Sequence, residues 1–448
     1  MPPLVLILSC ARHFKPTTIQ SMSSTLPNPA LPSFEQAAAL VAAYAAGLGR
    51  PSAERVELGL TAGRVLAQPL CADQDQPSFD RSTRDGFACR AAEASAHEPL
   101  RIAGATRAGE APAAPLPPGA AWEIMTGAPV PAGADAVMMI EHVELSEGRI
   151  RLLPPRTVSP GENIVAQGAQ ARQGDELLPA GTAIRAAQIA LAASCGCASI
   201  DVFVRPRVAI LVTGDELVPM ASSPGPGQIR NSNAPMLAEL VAAAGGEPWV
   251  LPTAVDHAEA LDEALAQAAD ADLLLISGGV SAGKFDLVEP ALARAGARFH
   301  FTGVRIQPGK PLVFGELPVS ARVDLNQNEN GTKCFFGLPG NPVSSAVTFL
   351  LFAAPVLGAL AGNHDSAPRF ALAQMAAAAH KLGRSALTRF LPASCTFGRS
   401  GGRLPEVRLV PWQGSGDLAA MARSNCFLVV PEDAPSLEPG ATVRILLS

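Results

Sequence analysis

Residues 272–286 read DLLLISGGVSAGKFD, and this stretch decides the fold. Its first part, Asp272–Ser277, is a short, continuous apolar run of the kind that is buried on both faces of a parallel sheet. The rest is rich in glycine, which lets the backbone approach a ligand closely and turn successive N–H groups towards an anion. A buried strand leading into such a turn predicts a ligand site at the carboxyl end of the strand.

The side chains of this turn fit an anion site. Gly278 and Gly279 leave room for a ligand beside the backbone. Ser281 offers a hydroxyl group, Lys284 a positive charge and Asp286 a carboxylate that could hold a metal ion. A plain glycine-rich turn in which Asp286 caps a following helix is the alternative, and the mechanics of the motif favour the anion site.

The chain around this stretch alternates strands with helices. Val208–Thr213 and 248–252 read as strands, whereas 234–245 and 257–269 read as helices. This rhythm predicts a doubly wound parallel sheet covered on both faces. Ligands of such sheets bind outside the carboxyl ends of the strands, so the segments after those ends are candidate sites.

Two of these segments carry charged side chains. Glu216 belongs to the TGDEL sequence that ends the first strand, where a threonine and two acids suit metal binding or acid–base chemistry. Two solvated acids in a turn would look the same. Lys310 lies on a tight turn within IQPGKPLVFG and is a reasonable phosphate donor, although a lysine in a surface turn is the commoner case.

The sequence GLPGNPVSSAVTF joins a rigid turn to an apolar helix. Pro339 and Pro342 restrict φ, while the Asn341 side chain permits close approach of a ligand. Ser344 lies in the first helical turn, where it would either donate to an anion or cap the helix.

The remaining segments predict further domains. Residues 33–47 read as a helix with Ser33 as its N-cap. Residues 76–165 read as a mostly β region, which holds Asp85 in a DGFA sequence and Thr126 in an MTGAP sequence. Neither sequence specifies a reaction by itself. Residues 321–334 read as a surface hairpin or loop, and short strands after 365 indicate a small barrel or sandwich.

Composition narrows the class of protein. A formal net charge of −6 argues against broad nucleic-acid binding, which needs a basic face, but not against a small anionic ligand. No run is long and apolar enough to span a bilayer, and residues 1–21 read as an upstream-start extension or a disordered tail. Cys195 and Cys197 form a CxC rather than a zinc-type pair, so ordinary reduced thiols and a cytoplasmic protein are expected.

Taken in order, these segments resemble the molybdopterin molybdenumtransferase family, which includes MoeA and the gephyrin E domain. The resemblance runs unbroken from about residue 33 to the end, and the ordered set is more specific than any one motif. The matching segments are 82–88, 125–137, 168–184, 213–218, 227–233, 277–286, 308–315, 338–344 and 414–425.

The resemblance implies a multidomain α/β plus β architecture. It comprises a doubly wound parallel-sheet domain that binds molybdopterin, an inserted β domain and a small C-terminal β-barrel. The implied divisions are a tail at 1–30, a discontinuous linker domain at 31–75 and 165–202, the β domain at 76–164, the α/β domain at 203–365 and the barrel at 366–448.

The family reaction that this implies takes adenylylated molybdopterin and molybdate, hydrolyses the adenylate and releases AMP. The implied cofactor is Mg²⁺, held by Glu216 and Asp286, which also count as catalytic together with Asp85 and Thr126. The implied partners are a second copy of the chain, the molybdopterin adenylyltransferase and the molybdoenzymes that accept the cofactor. The implied substrate-binding residues are Gly278, Gly279, Ser281, Lys284, Lys310, Pro339, Asn341, Pro342 and Ser344.

The chain departs from the family pattern at Phe87 and Leu287, where tyrosine is usual, and at Lys284, where glutamate is common. Three other functions stay open: the preceding adenylylation step, a scaffold of the gephyrin type, and an unrelated nucleotide-binding enzyme. The extra β domains favour insertion over adenylylation. The absence of a long linker counts against a scaffold, and the absence of GxGxxG and GxxxxGK[ST] sequences counts against the last.

Overall fold

A computed structural model describes residues 31–279, 287–318, 332–363, 365–380, 385–396, 404–432 and 434–448. The chain divides into two compact units. The first holds the residues up to Arg55, Gly63–Ala67 and Asp201–Ser448, and the second holds Val56–Ala62 and Gln68–Ile200. The strands Ala53–Glu57 and Ser199–Phe203 lie where the chain passes from one unit to the other.

A six-stranded sheet organises the first unit. Four neighbouring strands are parallel, as predicted, and two antiparallel strands extend the sheet at one side. Across the sheet the order is Glu247–Val250, Arg207–Val212, Leu273–Ser277, Thr332–Leu338, Val313–Pro318 and Arg298–Phe301. Val212 pairs with Ser277, and Ser277 pairs with Leu338, so three parallel strands end at the same level.

Helices cover both faces of this sheet, which confirms the doubly wound arrangement. On each face the buried apolar residues of the strands pack against those of the helices. One face carries Phe34–Ala46, Asn233–Ala243, Pro342–Thr348 and Ala354–Leu360, and the other carries Ala258–Gln267 and Val288–Arg294. The predicted N-cap is also confirmed, because the Ser33 side chain accepts a hydrogen bond from the Gln36 N–H.

The expectation that no run is long and apolar enough to span a bilayer was wrong for one helical run in the described part of the chain, Pro342–Leu360, which passes by length and composition. Within the protein 83% of an 18-residue stretch of this run is buried, as expected for a core helix that packs against the sheet. Its length and composition are therefore weak evidence for a membrane span.

The C-terminal strands close into a five-stranded barrel, as predicted. Each strand pairs with two neighbours, and the pairing of Thr388–Thr396 with Cys426–Val430 completes the ring. The other barrel strands are Phe370–Met375, Glu406–Leu409 and Thr442–Leu447. The helix Leu418–Ala422 precedes the fourth strand, and the short strand Ile306–Gln307 pairs with the start of Thr388–Thr396.

The second unit is mostly β, in agreement with the sequence. Its main sheet runs Ala136–Met139, Gly86–Cys89, Ala120–Ile124, Leu100–Thr106, Arg149–Leu152 and Val143–Ser146. Two short ladders lie outside that sheet. They pair Leu70–Cys71 with Glu176–Leu178 and Arg81–Ser82 with Ile164–Val165. Its α-helices are Ala91–Ala94 and Ala186–Ser194.

One prediction was wrong at its end. The surface hairpin or loop expected at 321–334 was given too late an end, because Thr332–Leu338 is a strand of the central sheet, paired antiparallel with Val313–Pro318. Lys333 is a polar residue, which favoured a surface position in the prediction from sequence. Its apolar stem is buried, and its Nζ donates to the carbonyl oxygens of Ala268 and Ala269 at the end of a helix. The predictions for 1–30, 280–286 and 321–331 lie outside the described residues.

Candidate active site at the sheet edge

The carboxyl ends of the parallel strands are joined into one edge. The Thr213 N–H donates to the Ser277 carbonyl oxygen at 3.0 Å, and the Gly278 N–H donates to the Leu338 carbonyl oxygen at 3.2 Å. The PGKP turn reaches the same edge, since Val313 is paired antiparallel with Gly337. The edge therefore brings together most of the substrate-binding residues that were predicted from separate motifs.

The diglycine turn admits only glycine. Gly278 and Gly279 have φ angles of +103° and +61°, which side-chain-bearing residues rarely adopt. A Cβ atom on Gly278 would lie 2.5 Å from the carbonyl oxygen of Thr213, and one on Gly279 would lie 2.7 Å from a methyl group of Val288. The turn is thus pressed onto Thr213, whose buried hydroxyl group has no hydrogen-bond partner among the described residues.

Three acids follow the ends of the neighbouring strands Arg207–Val212 and Glu247–Val250 at the same edge. Asp215 and Glu216 are exposed, and the Asp256 N–H donates to a carboxylate oxygen of Asp215 at 3.0 Å. The pKa of Asp256 is raised, first by its partial burial and then by the negative charges of Asp215 and Glu216. Sequence reasoning missed Asp256. The signal was its position four residues after a predicted strand, and a bridge between Thr213 and Ala254 brings that segment to the edge.

The acids fit a hard cation in chemistry, although the metal site stays a prediction. The described residues include no group of three or more His, Cys, Asp or Glu side chains arranged to hold a metal ion. Asp286, the second predicted ligand, lies outside them. Burial and, after it, repulsion from Asp215 and Glu216 raise the pKa of Asp256. A cation would relieve the repulsion, and an all-oxygen donor set is the one that Mg²⁺ prefers.

The PGKP turn packs against the apolar helix. Gly309 has a φ angle of +113°, and a Cβ atom there would lie 2.5 Å from the methyl group of Thr348. Lys310, the next residue, is exposed, and its carbonyl oxygen accepts a hydrogen bond from the Val304 N–H at 3.0 Å. The backbone of the turn is therefore fixed, while the lysine side chain faces solvent.

The PGNP turn is tied to the barrel. The Val343 N–H donates to the Ser415 carbonyl oxygen at 3.0 Å, and the Ser345 N–H donates to the Asn341 carbonyl oxygen at 2.9 Å. Pro339 is buried, Asn341 is exposed and Pro342 is half-buried. Ser344 is only 3% exposed. Because two N–H groups of the first helical turn are used within the protein, the exposed Asn341 is better placed to meet a ligand than Ser344.

Asp85 and Thr126 lie in the second unit and form a direct pair. One carboxylate oxygen of Asp85 accepts hydrogen bonds from the Thr126 N–H at 2.6 Å and from the Thr126 hydroxyl group at 2.8 Å. These bonds, the backbone one first, lower the pKa of the fully exposed Asp85 carboxyl. Residues that are 41 positions apart are thus joined, and their predicted closure of the active site stays a prediction. Ser281 and Lys284 lie outside the described residues.

Three family models match the chain in sequence order. They are the MoeA N-terminal region (domains I and II) at 32–196, a probable molybdopterin-binding domain at 209–359 and the MoeA C-terminal region (domain IV) at 376–448. A molybdopterin molybdenumtransferase of Nostoc sp. is 35% identical over 407 residues, which cover 88% of each chain. This chain belongs to the molybdopterin molybdenumtransferase family.

Further comparisons agree with this family. The molybdopterin molybdenumtransferase of Haemophilus influenzae is 33% identical over 88% of this chain and 93% of its own. Among solved structures, a molybdopterin biosynthesis MoeA protein from Pyrococcus horikoshii OT3 is 28% identical with a TM-score of 0.75, covering 94% of this chain and all of the other. The family's multidomain architecture is therefore the architecture of this chain.

Proposed function

We propose that this protein inserts molybdenum from molybdate into molybdopterin, acting on the adenylylated form of the pterin and releasing AMP. The observation that carries the proposal is the sheet edge, which brings a diglycine turn, a cluster of acids and an exposed lysine together. A diphosphate and an oxyanion both need such a mixture of N–H donors, positive charge and a cation held by acids.

The side chains divide into binding and chemical roles. The backbone of Gly278 and Gly279 would lie against the phosphates, and Lys310 would supply a positive charge to phosphate or molybdate. Glu216 would orient the water that attacks the diphosphate, so that a phosphorus–oxygen bond forms to water as the bond to the leaving phosphate breaks. Glu216 and Asp286 would hold the predicted Mg²⁺, with Asp256 as a further acid beside Glu216, and the ion when bound would offset negative charge on the diphosphate.

The Asp85–Thr126 pair would contribute to the rate of the reaction rather than to the affinity for the substrate. Its lowered pKa keeps Asp85 ionised at neutral pH, so it serves as a fixed acceptor and negative charge and not as a proton donor. The homodimer, contacts with the adenylyltransferase and with molybdoenzymes, and a cytoplasmic location belong to the same proposal.

AMP release from adenylylated molybdopterin by the purified protein tests the proposal. Release should need both molybdate and a divalent cation, and the product should restore activity to a molybdoenzyme that lacks its cofactor. Tight binding of the pterin with no turnover would overturn the enzymatic function and would favour a carrier or scaffold.

A further inference from the structure

Asn233 is a buried polar residue that none of the predicted roles uses. It begins the helix Asn233–Ala243 and is 7% exposed. Its side-chain N–H₂ group donates to the Ser277 hydroxyl oxygen at 2.9 Å and to the Gly340 carbonyl oxygen at 2.7 Å. Both amide hydrogens are thereby used. The two acceptors belong to different turns of the sheet edge, so one side chain connects them.

The two turns meet closely at this point. Ser277 is the fully buried residue directly before the diglycine turn, and Gly340 is the centre of the PGNP turn. A Cβ atom on Gly340 would lie 3.4 Å from the Cα atom of Gly278, which is ordinary contact. The backbone bond from the Gly278 N–H to the Leu338 carbonyl oxygen joins the two strand ends. The Asn233 side chain adds a bond to Gly340, two residues further into the PGNP turn, and so helps to set how far that turn lies from the diglycine turn.

Burial strengthens the two bonds that Asn233 donates. The residue is 7% exposed and Ser277 is fully buried, so little water competes for the amide N–H₂ group. An amide that bonds two separate turns away from water is suited to fixing their relative position.

We propose that Asn233 is a positioning residue that sets the distance between the diglycine turn and the PGNP turn, and thereby the width of the pterin phosphate site. This inference rests on the proposed function for its ligand. It assigns Asn233 no contact with the substrate. The residue acts through the backbone of Gly278 and Gly340, which lie against the ligand.

Variants of graded severity separate this role from a general loss of stability. Asn233→Asp keeps the size of the side chain and removes both donated hydrogen bonds, and Asn233→Ala removes the side chain. Ser277→Ala removes only the bond to the diglycine turn. Asn231→Ala is the matched control, because the Asn231 side chain accepts from the Ala234 N–H and supports the same helix start without contacting either turn.

Two measurements on the full-length chain test the proposal. The first is hydrogen exchange of the Gly278 and Ser345 amides, which are bonded to Leu338 and Asn341. Both should exchange faster in the Asn233 variants, the Gly278 amide alone in Ser277→Ala, and neither in Asn231→Ala. The second is steady-state AMP release, in which KM for adenylylated molybdopterin should rise about tenfold in the Asn233 variants at an unchanged folded fraction.

The outcomes separate the two proposals. Unchanged exchange and unchanged KM in both Asn233 variants would overturn the positioning role while the proposed function stands. A fall in kcat with an unchanged KM, together with equal effects of Asn231→Ala, would also overturn it and would assign Asn233 to helix stability. If the wild-type protein releases no AMP, the proposed function fails, and the exchange measurement still decides whether Asn233 connects the turns.

Discussion

Asp256 in the first unit and Asp85 in the second are both acids in turns, yet their pKa values are shifted in opposite directions. Asp256 is partly buried beside two like charges, so its ionised form is disfavoured. Asp85 is exposed and accepts two hydrogen bonds from Thr126, so its ionised form is favoured. The comparison teaches that the charge of the first acid is opposed by its surroundings, which the proposed cation would offset, whereas the charge of the second is already stabilised by its own turn.

The largest effect on activity is expected at the diglycine turn, which lies at the same edge of the sheet as Asp256 and has a fixed backbone. Gly278→Ala should lower kcat/KM by about 100-fold or more, since the new Cβ atom would meet the Thr213 backbone and the φ angle is positive. AMP release measures this loss. Gly440→Ala is the control, because Gly440 has a φ angle of +80° with no atom within 4 Å of the added Cβ, so it shares the strain without the contact.

A somewhat smaller effect is expected for the charge of Asp85. In Asp85→Asn the amide oxygen can still accept both hydrogen bonds from Thr126, so the turn should keep its shape. We expect kcat to fall by roughly 10- to 100-fold with little change in KM, as for the loss of one charged group acting in the reaction. Thr126→Ser, which retains the hydroxyl donor, should stay close to wild type. Wild-type kcat in Asp85→Asn would remove the second unit's acid from the mechanism.

The pH dependence of this acid follows from the sign of its shift. Because the pKa of Asp85 is lowered in the folded protein, its contribution to stability is present above the unfolded value of 3.8 and is lost as pH falls through the folded pKa. Asp85 should therefore add no step to the activity profile between pH 5 and pH 8. A step in that range that disappears in Asp85→Asn would contradict the assignment.

For the acid cluster we predict two opposite consequences of one change, weaker metal binding and greater stability. Asp256→Asn should weaken the binding of the divalent cation that supports AMP release by about tenfold, measured as the metal concentration that gives the half-maximal rate. The same change should raise the free energy of unfolding at pH 7 without metal. A carboxyl whose folded pKa is raised stabilises the protein below the unfolded pKa of 3.8 and loses that contribution as pH rises through the folded pKa.

The control for Asp256→Asn is Asp262→Asn. Asp262 lies shortly after Asp256 in the sequence, on the helix Ala258–Gln267. It forms a half-exposed ion pair with Arg294, which lies on the helix Val288–Arg294. It should leave the metal dependence unchanged and alter stability only slightly. If Asp256→Asn and Asp262→Asn reach the half-maximal rate at the same metal concentration, Asp256 does not hold the cation.

The smallest effect on activity is expected at Lys333, the second residue of the strand Thr332–Leu338, which therefore lies at the opposite end of the sheet. Burial lowers its pKa from 10.5 to about 8. The unfolded chain then binds more protons than the folded one between pH 8 and pH 10.5, so the stability of the wild type should rise relative to Lys333→Met across that window. Chemical denaturation measures the difference, and AMP release should be unaffected.

The elements of the fold that follow from local pattern were predictable. The buried strand Leu273–Ser277, the Ser33 cap and the C-terminal strands each follow from apolar runs, capping residues and turn residues within a few positions. The strand that begins at Thr332 was mistaken for a loop. Its lysine is buried only because two carbonyl oxygens from a distant helix end meet its charge, which no local pattern reveals.

The site was predictable as a set of motifs but not as a geometry. The parallel-sheet rule placed the TGDEL and diglycine segments at one edge. The structure added the PGNP turn through the pairing of Ser277 with Leu338, and the PGKP turn through the pairing of Val313 with Gly337. Asp256 and Asn233 were missed, because their importance depends on neighbours that are remote in sequence. The pKa of Asp256 is raised by its partial burial and then by the charges of Asp215 and Glu216, and Asn233 connects Ser277 with Gly340.

Equilibrium binding of adenylylated molybdopterin, measured without molybdate, tests the division of roles most directly. It should be compared in the wild type, Gly278→Ala and Asp85→Asn. The account predicts that Gly278→Ala loses most of the affinity, whereas Asp85→Asn binds as the wild type does and fails only in AMP release. Wild-type affinity in Gly278→Ala, or lost affinity in Asp85→Asn, would contradict the account, in which the sheet edge binds the substrate and the Asp85–Thr126 pair contributes to the reaction but not to binding.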